Sequence, residues 1–467
     1  MRSGIETSLR PRPVPRHSQN ESTMRSPRSL AAAGAGFGVV LIAASAIGVV
    51  QSRSGDDDGT SRMRVAAMQP AALVTTSGAT LDVVIAGLQS RVEELPRDHV
   101  AWAGLGLAYV QQARVTADVD LYDQAATALD TSLDINQSDN FLAYAGHSTL
   151  SAALHDFVSA KDYAQQGLDI NEYSAILWGA LSDAELQLGR YADAFASVQR
   201  MLDLSPDTSS LSRASYLREL SGDTEEASRL MQRALDDAPT PADRSFALLH
   251  LGDLAFKAGD AGTALDYYGA ALGSLPDSAA ALAGRARAEA ALGQTDAALA
   301  DYEELVERGI EPFYTLQYAE LLESIGRADE AAAQYRLYSE QEAEFAAQEF
   351  LPDATYTLFL ADHGQPELAL HNAQRAVDIA PFIDTQDAYA WALHRNGRHE
   401  DAWAAMERAF ALDTPSALYH FHAGMIRHAL GDDDGARQHL TMALDINPHF
   451  NLVGAATAQT TLDQLQG

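Results

Sequence analysis

Between Ala175 and Pro206 the apolar positions form two helical stretches separated by a single glycine. The first stretch, Ala175-Ile176-Leu177-Trp178-Gly179-Ala180-Leu181, is apolar at Trp178, Leu181 and, further along, Leu188. Gly189 follows, where a helix stops in the left-handed conformation that glycine takes without strain. The second stretch carries Ala194, Val198 and Met201 at i, i+4 and i+7, one face of a second helix. Pro206 closes it, because proline lacks the N–H and restricts the residue before it. The small side chain at Ala194 marks where the two helices cross, since a larger one would force the axes beyond their usual ~8–10 Å.

The same pattern recurs along most of the chain. Alanines fall at 125, 160, 194, 227, 264, 298, 331, 369, 402 and 436, at intervals of 33 to 38 residues, most of them 33 to 35. Glycines keep step at 189, 222, 259, 293, 326, 364, 397 and 431, and prolines at 206, 239, 276, 381 and 448. The opening unit reads Trp102-x-x-Leu105-Gly106-x-x-Tyr109. This period and signature resemble the tetratricopeptide repeat over residues 98–450. The resemblance implies an all-α, right-handed superhelical solenoid of about ten stacked helix pairs. The second unit departs most, with His155 in the glycine position and Glu172 in the proline position. Helical spacing at Leu81, Val84, Ile85, Leu88 and Val92 predicts a capping helix over 80–97, and a closing cap is expected over 451–467.

The amino-terminal segment is different in kind. Residues 1–29 hold six arginines and four prolines and read as a basic cytoplasmic tail. Leu30 to Val50 then runs 21 residues without a charge, about 30 Å as a helix, enough to span a bilayer. More basic residues precede the segment than follow it, which places the amino terminus in the cytoplasm and the repeats outside. The resulting expectation is a single-pass transmembrane anchor at 30–50 with a flexible linker at 51–79. The competing reading is a signal peptide cleaved near Ala46, after Ala44-Ser45-Ala46, which releases a secreted protein. One membrane segment followed by such an array looks like a group of bacterial membrane-anchored tetratricopeptide proteins.

Composition narrows the chemistry. The 467 residues carry a net charge of −33, and Lys161 and Lys257 are the only lysines. So acidic a surface repels nucleic acid and anionic lipid. Cysteine is absent, which excludes disulfides, thiolate metal sites and thiol nucleophiles. No phosphate-cradling glycine loop, nucleophile elbow or His-Glu-x-x-His helix occurs. Asp432-Asp433-Asp434-Gly435 lacks the spacing of a calcium loop. The chain reads as a non-enzyme with no cofactor.

In tetratricopeptide arrays, positions 2, 5, 9, 12 and 13 of each unit face the concave side. The resemblance therefore implies a partner-binding groove with a charged middle, at Asp183, Asp253, Lys257, Arg287 and Glu320, to which Tyr216 adds a ring. It also implies an aromatic and imidazole-rich end, at Trp391, His394, Arg395, Phe421, Met425 and His428. An extended peptide or protein segment anchored by Trp391, Phe421 and Met425 is the expected partner; packing of those residues between units is the alternative. The lysines and asparagines with which chaperone-binding members hold a terminal carboxylate are missing, apart from Lys257. Seven of the fourteen histidines lie between 394 and 449. His394 and His428, one repeat apart, are weak candidates for a divalent metal. That pair supports the alternative function, a metal- or ligand-binding accessory protein of a transporter.

Overall fold

In units two to ten the residue that reverses the chain, in the left-handed conformation, stands directly before the N-cap of the second helix. The computed structural model describes residues 78–116, 118–309, 311–346 and 354–466, and these form 22 α-helices with no strand among them. A first helix, α1 (Gly78–Glu94), precedes ten pairs. The pairs are α2 (His99–Thr116) with α3 (Asp120–Ile135), α4 (Phe141–Ala153) with α5 (Phe157–Ile170), α6 (Ala175–Gln187) with α7 (Tyr191–Leu204), and α8 (Thr208–Leu220) with α9 (Thr224–Asp236). There follow α10 (Pro241–Lys257) with α11 (Ala261–Ser274), α12 (Ala279–Ala291) with α13 (Thr295–Arg308), and α14 (Pro312–Ser324) with α15 (Ala328–Ala346). The last pairs are α16 (Ala354–Asp362) with α17 (Pro366–Ile379), α18 (Ile383–Arg395) with α19 (His399–Ala409), and α20 (Ala417–Ala429) with α21 (Asp433–Ile446). Helix α22 (Leu452–Gln466) closes the array.

Unit four shows how the turn works. Gly222 takes φ +77°, its N–H bonds Glu219 O at 3.0 Å, and the Asp223 N–H reaches Arg218 O at 2.9 Å. The Asp223 carboxylate then accepts the Glu226 N–H and caps α9. In unit two His155 does the glycine's work at φ +60°, with Asp156 capping α5 behind it.

Packing explains the alanine spacing. Nine of the ten recurring alanines have no solvent exposure and the tenth, Ala331, has 2%. In three successive units a serine twelve residues earlier donates to the alanine's carbonyl: Ser148 to Ala160 at 2.8 Å, Ser182 to Ala194 at 2.9 Å and Ser215 to Ala227 at 2.7 Å. These hydroxyls occupy a crossing too tight for a larger group and satisfy themselves there.

Between five and six units after it starts, the chain returns over its own path. The loop before α18 lies on the turn at Gly189, where an added Cβ would stand 3.1 Å from Pro381 O. The loop before α20 lies on Gly222, and Thr414 Oγ1 donates to Leu220 O at 2.5 Å across 194 residues. The loop before α22 lies on Gly259, and Asn447 Nδ2 donates to Phe256 O at 2.8 Å across 191 residues. One continuous apolar core joins residues of α6 to α12, such as Leu211 and Leu251, to residues of α18 to α20, such as Ile383 and Ile426. The first turn of the solenoid is thus sealed to the second along a seam.

No helix among the described residues is long and apolar enough to cross a membrane. The segment expected to do so, 30–50, lies outside the described residues, together with 1–29 and the linker through residue 77.

Tyr268 gives the packing a test. Its ring is fully buried between two helical glycines, and a Cβ would come within 2.6 Å of it at Gly252 and 2.5 Å at Gly284. Gly284→Ala should therefore cost about 1–3 kcal/mol by overpacking, read as a lower urea midpoint. An unchanged midpoint would mean the ring has room to move.

Candidate partner-binding site on the inner face

The first helices of the pairs supply the inner face, and its charged middle consists largely of groups already paired to each other. Asp183 of α6 receives Arg213 of α8 in a fork, Nε to Oδ1 at 3.0 Å and Nη2 to Oδ2 at 2.9 Å. Asp253 of α10 accepts the Tyr268 hydroxyl and Arg287 Nη2, both at 2.8 Å. The Arg287 guanidinium also lies 4.5 Å over the Phe256 ring. Burial raises the Tyr268 hydroxyl well above its ordinary range, so it stays a donor. Lys257 bonds Glu219 at 2.5 Å, yet 44% of its side chain remains open to solvent.

Two carboxyls are perturbed where the turns of the solenoid meet. Glu320 on α14 accepts from Asn451 Nδ2 at 3.1 Å. Burial, with Asp362 and Glu323 nearby, pushes it up to about 7. Asp384 at the start of α18 accepts the Tyr419 hydroxyl. Burial raises it to about 6, with Asp387 and Glu219 adding and Lys257 opposing. Tyr216 on α8 is half-buried; burial and the negative charge of Asp384 and Glu219 lift its hydroxyl well above its ordinary range.

The aromatic end is interior. Trp391 is 4% exposed, and its indole N–H donates to Asp362 Oδ1 at 3.0 Å. Its ring stacks on His422 at 4.3 Å and on His394 at 5.0 Å. Phe421, 6% exposed, contacts Trp391 and Phe450. Met425 is half-buried and lies against Thr461 of α22. Trp391 and Phe421, expected as anchors on an open face, therefore belong to the core between units eight, nine and ten. Arg395 stays exposed while bonding Ala361 O at 3.1 Å.

His394 and His428, the pair read as metal candidates, do not converge, whereas His420 and His439 meet Nδ1 to Nδ1 at 2.9 Å. His394 packs on Trp391 and His399, and burial pulls it down to about 4. His428 instead turns to Asp433 at 3.3 Å. Among the described residues no group of three or more His, Cys, Asp or Glu is placed to hold a metal ion.

Asp384 went unmarked as a site residue in the sequence and Asp387 was read only as a neighbour of the His394/His428 pair, although they stand at positions 2 and 5 of unit nine. Asp387 is 2% exposed and bonds His422 Nδ1 through both oxygens, at 2.9 and 3.0 Å. The position rule that selected Trp391 selects both.

With this geometry established, comparison with known proteins identifies the repeat. A family model described as tetratricopeptide repeat matches residues 149–208, 217–279, 249–311, 284–347 and 388–449, more than half of the chain. The chain is a tetratricopeptide repeat protein. No curated protein matches its sequence. Solved structures similar to this tetratricopeptide protein include a human IFIT1 dimer with PPP-AAAA, at 13% identity, covering 82% of this chain and 93% of that one, with a TM-score of 0.44. The Cut9–Hcn1 hetero-tetramer of APC/C matches at 13% identity, covering 87% and 98%, with a TM-score of 0.36. A tetratricopeptide repeat protein from Parabacteroides merdae matches at 15% identity, covering 71% and 100%, with a TM-score of 0.33. No functional residue carries across at such scores.

If Trp391 is a core residue, Trp391→Ala should lower stability by about 3–5 kcal/mol, measured as a drop in thermal midpoint with loss of near-ultraviolet dichroism. A variant as stable as the parent would return Trp391 to the surface.

Proposed function

We propose that this tetratricopeptide protein is a non-enzymatic adaptor held at the membrane by residues 30–50, with its solenoid outside the cytoplasm and protein segments held on the inner face. The tetratricopeptide family is generally one of non-enzymatic scaffolds, and stacked helix pairs offer a long surface with no pocket chemistry of their own. The observation that carries the reading is the inner edge at Lys257, Glu323 and Arg395. These are charged side chains with solvent access on helices whose other faces are packed. A partner meeting them is read by charge, and with a net −33 behind them a basic segment is favoured.

The test is crosslinking in intact cells from a photoreactive residue at Lys257, compared with one at Gln199 on the outer helix α7. Protein adducts specific to the inner position are expected. Identical adducts from both positions would remove the groove from the account. Protease added to intact cells should cleave the array without permeabilisation; protection until the membrane is opened would overturn the topology.

A further inference from the structure

The seam between the two turns is built unlike the rest of the core. Within a unit, the helices cross at a buried alanine, with a small residue such as glycine or serine opposite it. Among the described residues the polar contacts across the seam are few: Thr414 to Leu220 O, Asn447 to Phe256 O and a backbone hydrogen bond from Ile383 to Tyr191, with Asn451 reaching Glu320 of unit seven just beyond it. Closing it also crowds carboxyls that no arginine neutralises. Asp384 is met by Tyr191 from α7, by Tyr216 and Glu219 from α8, by Lys257 from α10 and by Tyr419 from α20, with Asp387 on its own helix. Glu320 is met by Tyr302 from α13, by Tyr335 from α15, by Asp362 from α16 and by Asn451 ahead of α22, with Glu323 on its own helix. Lys257, already engaged with Glu219, is the only cation among these groups.

We propose that the seam is an acid-strengthened clasp: units eight to ten close onto units three to five, and the segment ahead of α22 onto unit seven, more firmly in mildly acidic surroundings, and both loosen in alkaline ones, gating the inner face. The gating rests on the adaptor reading; the clasp itself does not.

The sign follows from proton linkage. Both carboxyls hold protons more tightly when the seam is shut, near 6 for Asp384 and 7 for Glu320, than when opened toward their ordinary values of 3.8 and 4.5. The closed form therefore gains as pH falls from above 7 toward 5, and the gain ends once both forms are protonated. For Asp384 alone, a shift from 3.8 to about 6 changes the closed-to-open ratio by about tenfold between pH 8 and pH 5.

The natural chain lacks cysteine, so spin labels placed at Thr224→Cys and Ala411→Cys, exposed positions on the two sides of the seam, report on it alone. Pulsed dipolar spectroscopy on the full chain in detergent, with no partner present, should give a single short distance at pH 5. A growing long-distance population is expected at pH 8. Asp384→Asn with Glu320→Gln should hold the short distance at both values, while Asn447→Ala should enlarge the long population at both. Superimposable distributions at pH 5 and 8 in the otherwise natural chain would overturn the clasp, as would a pH response that survives in the Asp384/Glu320 double variant. Because no partner enters the measurement, failure to capture one in cells leaves this result unaffected.

Discussion

Everything in this molecule depends on how closely two helices approach within one unit. The contact residue is a buried alanine in every pair, facing a glycine, serine, alanine or threonine on the first helix. Removing bulk there lets backbones come together, and a repeated close approach adds the same small rotation at every step. The curvature is consequently tight, and the chain meets itself after fewer than six units. A solenoid with larger side chains at the crossing would open its pitch and leave the turns at Gly189, Gly222 and Gly259 in water. These glycines therefore have a second duty. They reverse the chain, and their missing side chains also admit the loop that arrives from the next turn.

Closure changes what an inner face is. In an open superhelix, the groove positions of the first helices would all look into solvent. Here the start of α18 looks onto α8 and α10, and α14 looks onto the segment leading into α22, so Glu320, read as a groove residue, and Asp384 are both enclosed. The low-dielectric surroundings raise the cost of their charge, and Tyr419 and Asn451 offset only part of it. The solvent-accessible remainder of the inner face is narrower than the repeat count suggests, and it is charged rather than aromatic.

Much of the architecture was legible because it is local. The alanine and glycine beat is a statement about contacts within about forty residues, and each unit repeats it. His155 was marked as an anomaly, and the structure shows it in the left-handed conformation that the missing glycine would have taken. Trp391 and Phe421 were ambiguous for the opposite reason. A position rule says which side of a helix a residue occupies, not what lies opposite it, and their burial depends on Asp362, His422 and Phe450 from other units. The seam was not legible at all, since nothing in the chain marks a contact spanning about 190 residues. Asp384 and Asp387 sat at inward positions, but in so acidic a chain two more aspartates carry no signal.

The choice between arginine and lysine follows the same geometry. Thirty of the thirty-two cationic side chains are arginine, and three on the inner helices lie in forks or over rings: Arg213 on Asp183, Arg285 on Asp301, Arg287 over Phe256. A planar guanidinium is weakly hydrated and presents several donors in one plane, so it fits between close-packed helices where an ammonium would lose its water shell. Lysine survives on the inner face at one position, Lys257, where the side chain keeps solvent access beside the seam. The Arg213 fork ties unit four to unit three, and the Arg285 fork ties the two helices of unit six.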